Sequence, residues 1–200
     1  LLVYIIRHGQ TDWNATRRMQ GRKDIPLNDL GRSQAVANGK TLASILGETA
    51  SDFDFVASPL GRTRETMELV RGVMGLDPHA YRTDERLVEV CFGDWEGHTL
   101  PELKLTQREK VRARKAAKWD FIPPGDDAES YEIQSWRVGA WLSSVDRQTV
   151  CVGHGGVIRS VFRLVTDMEK QLAADTAIPQ DRILKVDTES RTAEWMDPVL

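Results

Sequence analysis

The feature that most constrains this chain is an uninterrupted apolar run at its start, Leu2-Val3-Tyr4-Ile5-Ile6, which passes directly into Arg7-His8-Gly9. A short β-branched run bounded by glycine reads as a buried strand. Strands buried on both faces belong to mostly parallel sheets covered by helices, where both faces are shielded from water. Such sheets bind ligands beyond the carboxyl ends of their strands. The first strand therefore delivers Arg7 and His8 to the place where chemistry is expected, and Gly9 lets the chain turn away without a Cβ clash. Arginine is a fixed cation whose fork matches phosphate or carboxylate, and histidine carries a nucleophilic nitrogen that titrates near neutrality. The pair suits an anionic substrate. On their own, the two residues read more simply as a surface arginine beside a hydrogen-bonded core histidine.

The rest of the chain alternates strand-like and helical text. A polar loop covers 9–28, after which Asn28 or Asp29 caps a helix over about 30–46, with Ala35, Leu42, Ile45 and Leu46 on its apolar stripe and Gly47 as its stop. A strand is expected over 53–58. Ser58 then caps a helix that carries Pro59 in its first turn, runs to about 74 and is closed by Gly75. Residues 80–82 read as a short strand and 87–90 as an extended segment. Residues 103–119 read as one helix with seven basic residues and one acidic residue between 104 and 118. That density fits either a solvated face or a cap helix that draws anions toward the site. A loop over 121–127, a helix over about 129–146 and a strand over 149–153 follow. Gly155 and Gly156 then open a helix over 157–166, 169–174 continues helically, and 182–187 and 192–196 close the chain as strands. With no repeat or linker, the pattern predicts a single domain over 1–200, a three-layer α/β/α sandwich with a mostly parallel sheet.

Composition removes several function classes. With 40% hydrophobic and 28% charged residues, the chain matches an ordinary soluble globular protein, and a net charge of -3 gives no reason to expect a nucleic-acid partner. No stretch approaches the ~18 apolar residues of a membrane span, and no basic region precedes a long apolar core, so neither a membrane partner nor a secretory leader is expected. Cys91 and Cys151 lie in apolar text and read as buried free thiols, which fits a cytoplasmic location. Oligomeric state is not readable.

Of the four histidines, His8 and His154 both end strand-like segments and precede glycine, so a parallel sheet can bring them to one site. His79 follows Asp77-Pro78 and reads as surface; His98 follows Glu96-Gly97 and is at most a substrate-loop residue. Two histidines and a carboxylate could instead hold a metal. Against this, Arg7 adjoins His8, Arg62 is expected nearby, and the chain lacks the paired carboxylates of hard-metal sites, so no metal is expected. Arg62 falls near the amino end of its helix, where unpaired N–H groups and the dipole also favour an anion; it reads equally well as a surface partner of Glu65 or Thr66. Arg64, two positions on, faces elsewhere.

The segment Arg7-His8-Gly9-Gln10-Thr11-Asp12-Trp13-Asn14 resembles the signature of the histidine phosphatase superfamily, which includes the cofactor-dependent phosphoglycerate mutases. The resemblance continues in order. Gln20-Gly21-Arg22-Lys23-Asp24-Ile25-Pro26-Leu27-Asn28 is similar to that family's loop before its first helix, and Ser58-Pro59-Leu60-Gly61-Arg62-Thr63-Arg64-Glu65-Thr66 to its second phosphate-binding segment. Leu87-Val88-Glu89-Val90-Cys91-Phe92-Gly93-Asp94-Trp95-Glu96-Gly97 resembles its acid/base segment, and Val152-Gly153-His154-Gly155-Gly156-Val157-Ile158-Arg159 its second histidine segment. The resemblance implies a catalytic set of His8, Glu89, His154, Arg7 and Arg62. His8 would accept the phosphoryl group, Arg7, Arg62 and His154 would hold it, and Glu89 would act as general acid/base, with Glu96 and Glu85 as local competitors. Asn14, Gln20, Gly21 and Gly155 join Arg7, Arg62 and His154 as substrate contacts. Positive charge from the arginines should keep His8 neutral and nucleophilic, with its second ring nitrogen donating to a backbone carbonyl. The implied activity is hydrolysis of a small phosphorylated metabolite with no cofactor. Mutases of this type are usually longer, and Phe92-Gly93-Asp94-Trp95-Glu96-Gly97 looks more like the phosphatase branches. A catalytically silent phospholigand-binding module is the reading from another class; its mark would be loss of His8 or Glu89, and both are present. Trp13, Trp95, Trp119, Phe121 and Trp136 are aromatic candidates for a pocket wall, though each reads more naturally as packing.

Overall fold

Alternate residues of the first strand bury to opposite sides, and this sets the layering. In β1 (Leu2–Arg7), Val3 and Ile5 belong to one apolar cluster, Tyr4 and Ile6 to another. The computed structural model describes residues 1–198; positions 199 and 200 of the expected 1–200 extent lie outside the described residues. The other strands are β2 (Asp54–Ala57), β3 (Arg82–Thr83), β4 (Thr149–Gly153), β5 (Ile183–Asp187) and β6 (Thr192–Met196). The helices are α1 (Asp12–Ala15), α2 (Asp29–Leu46), α3 (Gly61–Val73), α4 (Leu100–Thr106), α5 (Arg108–Ala116), α6 (Tyr131–Ser143), α7 (Gly155–Thr166) and α8 (Lys170–Asp175).

The sheet runs β3-β2-β4-β1-β5-β6. Pairing is parallel from β3 through β1, whereas β5 runs antiparallel to both β1 and β6. One strand is therefore reversed in an otherwise parallel sheet. Leu42 and Leu46 of α2 and Met67 and Val70 of α3 pack with Tyr4 and Ile6 on one face. Val138 and Trp141 of α6 and Val157, Ile158 and Val161 of α7 pack with Val3 and Ile5 on the other. This is the expected three-layer α/β/α arrangement. Burying a large aliphatic side chain contributes about 1.5–3 kcal/mol, so these two layers are the main stabilising term.

Local signals set most boundaries. Asn28 caps α2 by accepting from Gly31 N at 2.9 Å, and Gly47 ends it at φ 52°. Ser130 caps α6, which starts two residues later than expected. Cys91 and Cys151 are buried free thiols. Among the described residues, no helix is long and apolar enough to cross a membrane.

Three expectations need correction. The loop over 9–28 contains α1, a single turn held by a capping box in which Asn14 N donates to Thr11 Oγ1 at 3.2 Å and Thr11 N to Asn14 Oδ1 at 3.1 Å. Ser58 does not cap α3. The cap residue is Leu60, and the first N–H, that of Gly61, donates to Asp24 Oδ2 at 2.8 Å across the molecule. The single helix over 103–119 is two, α4 and α5, broken at Gln107 (φ -133°, ψ 41°). The Gln107 side chain accepts from Trp95 Nε1 at 3.0 Å, a tertiary contact at the break that the helical composition does not encode.

Candidate active site

Three neighbouring strands end side by side, and each is followed by a polar side chain: His8 after β1, Ser58 after β2, His154 after β4. The ladder carries on past the strand ends, with His8 N donating to the Gly153 carbonyl and Ser58 N to the Val152 carbonyl, both at 3.0 Å. The two imidazoles meet edge to face, with ring centroids 5.2 Å apart. The turn after His8 needs glycine, because a Cβ on Gly9 would lie 2.1 Å from the Gly31 carbonyl oxygen. The chain leaving β1 thus rests backbone to backbone on the first turn of α2.

His8 Nδ1 lies 2.8 Å from the Gly9 carbonyl. A carbonyl only accepts, so Nδ1 carries the proton and Nε2 the free lone pair. Nε2 faces Arg62 Nε at 3.3 Å. Burial, followed by the charges of Arg62 and Arg7, holds the His8 pKa well below its ordinary value, so the ring is neutral at neutral pH. The sequence reading named the arginines; burial is the larger cause.

Arg62, the second residue of α3, is 1% exposed, and each arm of its fork is oriented. Nη1 donates to the Lys23 carbonyl at 2.6 Å; Nη2 donates to the Gly21 carbonyl at 2.7 Å and faces His154 Nδ1 at 3.3 Å. With the Gln20 amide turned to the orientation that satisfies both of its ends, its oxygen accepts from Nε at 2.7 Å and from Nη1 at 3.0 Å, and its nitrogen donates to Thr11 Oγ1 at 2.5 Å. Arg7 donates from Nη1 to the Ile178 carbonyl at 2.7 Å. Burial brings both guanidinium pKa values down to about 10, with the charge of Arg159 the second cause for Arg7, and both remain cations at neutral pH. His154 is fully buried beneath this layer, with Nε2 2.8 Å from Ser58 Oγ; burial and then Arg62 hold it neutral too. Arg62 Nη2 can only donate, so His154 Nδ1 accepts from it and Nε2 donates to the Ser58 hydroxyl.

Above these groups opens a cleft of about 330 Å³. Arg7, His8, Asn14, Gln20, Gly21, Arg62, Glu89 and Gly155 all line it, and of the expected site residues only His154 lies behind the wall. Glu89 is pinned: Gly156 N donates to its Oε1 at 3.1 Å and its Oε2 at 3.2 Å, Gln134 Nε2 to Oε1 at 3.1 Å, and Val90 N to Oε1 at 2.9 Å. A Cβ at Gly156 would lie 2.3 Å from Glu89 Oε1, so the carboxylate's seat depends on that glycine. Asn14 Oδ1 accepts from Thr11 N and from Gln180 Nε2, each at 3.1 Å, which leaves its amide N–H groups as donors in the cleft wall.

The two competing glutamates fall elsewhere. Glu85 is exposed, and Glu96 braces the surrounding loops by accepting from Arg22 N at 2.9 Å and Phe92 N at 3.1 Å. His79 and His98 are both exposed and outside the cleft. None of the five candidate aromatics lines it; Trp95 and Trp119 are core, and Phe92 and Tyr131 take that place. Sequence reasoning missed Ser58 as the partner of His154, Gln134 as the partner of Glu89, and Gln180, whose Nε2 also donates to the His8 carbonyl at 3.0 Å. Only Ser58 carried a signal, as part of a quoted motif. Among the described residues, no group of three or more His, Cys, Asp or Glu is placed to hold a metal ion. The arrangement offers a neutral imidazole lone pair, two fixed cations beside it and a carboxylate across the cleft. These are the parts for displacing a group from a phosphoryl centre.

The model of the histidine phosphatase superfamily (branch 1) matches residues 3–197. This chain belongs to the histidine phosphatase superfamily. Within it, the chain is 38% identical over 144 residues to a probable phosphoglycerate mutase GpmB of Citrobacter koseri, a match that covers 72% of this chain and 62% of that relative. The chain thus spans less than two thirds of the length of the curated relatives it matches. Among solved structures, Bacillus stearothermophilus YhfR is 27% identical with a TM-score of 0.80, covering 97% of this chain and 94% of that one. A mycobacterial glucosyl-3-phosphoglycerate phosphatase is also 27% identical, with a TM-score of 0.76 and coverage of 98% and 97%. The fold of this chain is thus the histidine phosphatase fold, with the described cleft at the carboxyl ends of its parallel strands.

Proposed function

We propose that this protein is a phosphomonoester hydrolase that acts on a small phosphorylated metabolite through a phosphohistidine at His8, without a metal. The observation that carries this reading is the tautomer of His8: Nδ1 is spent on the Gly9 carbonyl, and the free Nε2 faces a fully oriented Arg62. In the first step the Nε2 lone pair forms an N–P bond as the bond from phosphorus to the ester oxygen breaks, and Glu89 in its acid form supplies the proton to the departing alkoxide. In the second, Glu89 as carboxylate takes a proton from water, the water oxygen bonds to phosphorus and the N–P bond breaks. This returns neutral His8 and inorganic phosphate. Arg7 and Arg62 hold the phosphoryl oxygens, with Asn14 and the Gly155 region beside them. His154, behind the wall, accepts from Arg62 Nη2 at its Nδ1 and donates from Nε2 to Ser58 Oγ, and so acts by orienting Arg62. Gln20 and Gly21 serve chiefly by orienting Arg62, a narrower role than substrate contact.

The curated relatives support a second reading, phosphoglycerate mutase-type transfer, in which a second hydroxyl replaces water. The phosphatase name of a solved relative at 27% identity, matched over 97% of that chain, favours hydrolysis. The test is purified protein with a panel of phosphorylated metabolites after exhaustive chelation. Undiminished release of inorganic phosphate is expected. Activity that disappears with chelator and returns with a divalent ion would overturn the metal-free reading, and isomerised ester without phosphate release would favour the mutase.

A further inference from the structure

A second cavity, of about 500 Å³, lies at the amino ends of the parallel strands, away from His8. Asp54, which opens β2, Arg82, which opens β3, and Arg147, just before β4, stand in its wall. It shares no residue with the cleft described above. Its arginines are of two kinds. Arg82 is neutralised, with Nη2 2.8 Å from Asp54 Oδ2 and Nη1 3.5 Å from Asp84 Oδ2. Arg71 and Arg147 are not. Arg71, in the last turn of α3, is 6% exposed, yet its only hydrogen bond among the described residues runs from Nε to the Asp77 carbonyl, at 2.7 Å. Its guanidinium carbon sits 4.3 Å from the centroid of the Phe55 ring, which also lines the cavity. Both of its Nη atoms are thus left without a partner, whereas every arm of the equally buried Arg62 is bonded. Arg147 donates from Nη2 to the Asp52 carbonyl at 3.0 Å and, among the described residues, pairs with no carboxylate.

A buried cation with unmet donors is costly unless an anion joins it. The planar fork of a guanidinium matches the paired oxygens of an acid group. The rest of the wall is apolar, with Phe53, Leu76 and Tyr81 beside Phe55. An inorganic anion would leave that wall in water, and a cavity of this volume has the size of a small-molecule site. We propose that Arg71 and Arg147 bind the acid group of a small aromatic acid, carboxylate or phosphorus acid, whose ring lies against the apolar wall, at a site separate from the catalytic cleft.

The test is calorimetric binding to the full chain. The probes are 2-naphthoate and 2-naphthylmethylphosphonate, whose C–P bond does not hydrolyse, with 2-naphthalenemethanol as the ring without the charge and acetate as the charge without the ring. At least one naphthyl acid should bind roughly 10-fold or more tightly than both the alcohol and acetate, as a charge-assisted fork allows, and the tighter of the two identifies the acid group. Arg71→Met and Arg147→Met should each reduce that advantage to less than about 3-fold, and Arg62→Ala should leave it unchanged. Arg147 is exposed, so its variant answers the question if Arg71→Met fails to fold. Naphthyl acids that bind no better than the alcohol or acetate would overturn the site. So would an advantage lost with Arg62→Ala and kept with Arg147→Met, which would put the acid in the catalytic cleft. A dimer in sedimentation that Arg147→Met disperses would overturn it as well, because a second copy of the chain would then fill the cavity.

Discussion

Arg62 and Arg64 lie two positions apart at the start of one helix and have opposite surroundings. Arg62 is buried, held by two backbone carbonyls and aimed at both histidines; Arg64 is exposed and, among the described residues, donates only to Tyr81 Oη, at 3.5 Å. A pre-oriented cation gains strength as charge shifts onto the transferring oxygens, whereas a solvated one contributes little. Arg62→Ala should therefore lower kcat/KM by ~10²-fold or more, and Arg64→Ala by less than about 3-fold. Steady-state kinetics on one ester checks this, and equal, mild losses would mean that the helix face has been misassigned. At this scale the residues that meet around the cleft were legible, because His8, Arg62, Glu89 and His154 stand in contiguous motifs. Their supports were not. Gln134 reaches Glu89 from 45 positions away, and nothing in its neighbourhood marks it. Ser58 reads locally as a helix cap, because its hydroxyl and the following proline suit one. Its hydroxyl instead meets His154, and the carboxylate of Asp24 takes the Gly61 N–H.

Elements come together here through backbone contact as much as through side chains. The loop after β1 and the first turn of α2 approach so closely that a Cβ on Gly9 would lie 2.1 Å from the Gly31 carbonyl oxygen, and one on Gly31 the same distance from the Gln10 carbonyl oxygen. Neither obstacle is a flexible side-chain end, so Gly9→Ala must displace α2 or the loop that carries His8. We expect a loss of ~2 kcal/mol or more, seen as a fall in Tm of roughly 4–8 °C, together with most of the activity. A variant with unchanged Tm would show that the loop has slack the close approach denies. The strands and the long helices α2, α3, α6 and α7 were readable from apolar periodicity and end signals. The short α1 and the break at Gln107 were not. A one-turn helix has too few residues for a period, and the break coincides with a side-chain contact to Trp95 that lies outside any local window.

Across the whole molecule, the site makes stability depend on pH. His8 and His154 have folded-state pKa values well below the ordinary one, chiefly through burial, so the unfolded chain binds protons that the folded chain refuses. Stability is therefore full above about pH 6.5 and falls as pH drops below it, by up to ~1.4 kcal/mol per pH unit for each histidine. Stability should fall measurably between pH 7 and pH 5.5, and His8→Asn should remove part of that dependence. Denaturant melts at the two pH values check this; an identical pH dependence in the variant would mean that His8 is not held neutral by the fold. The same neutrality leaves His8 Nε2 free to attack phosphorus. The most direct measurement is a rapid-quench first turnover with an ester labelled on phosphorus, followed by mapping of the labelled peptide. A transient bond, labile in acid and stable in base, should form on His8 and be absent from His8→Asn. Label on His154, or a first turnover that releases phosphate with no protein-bound label, would contradict it.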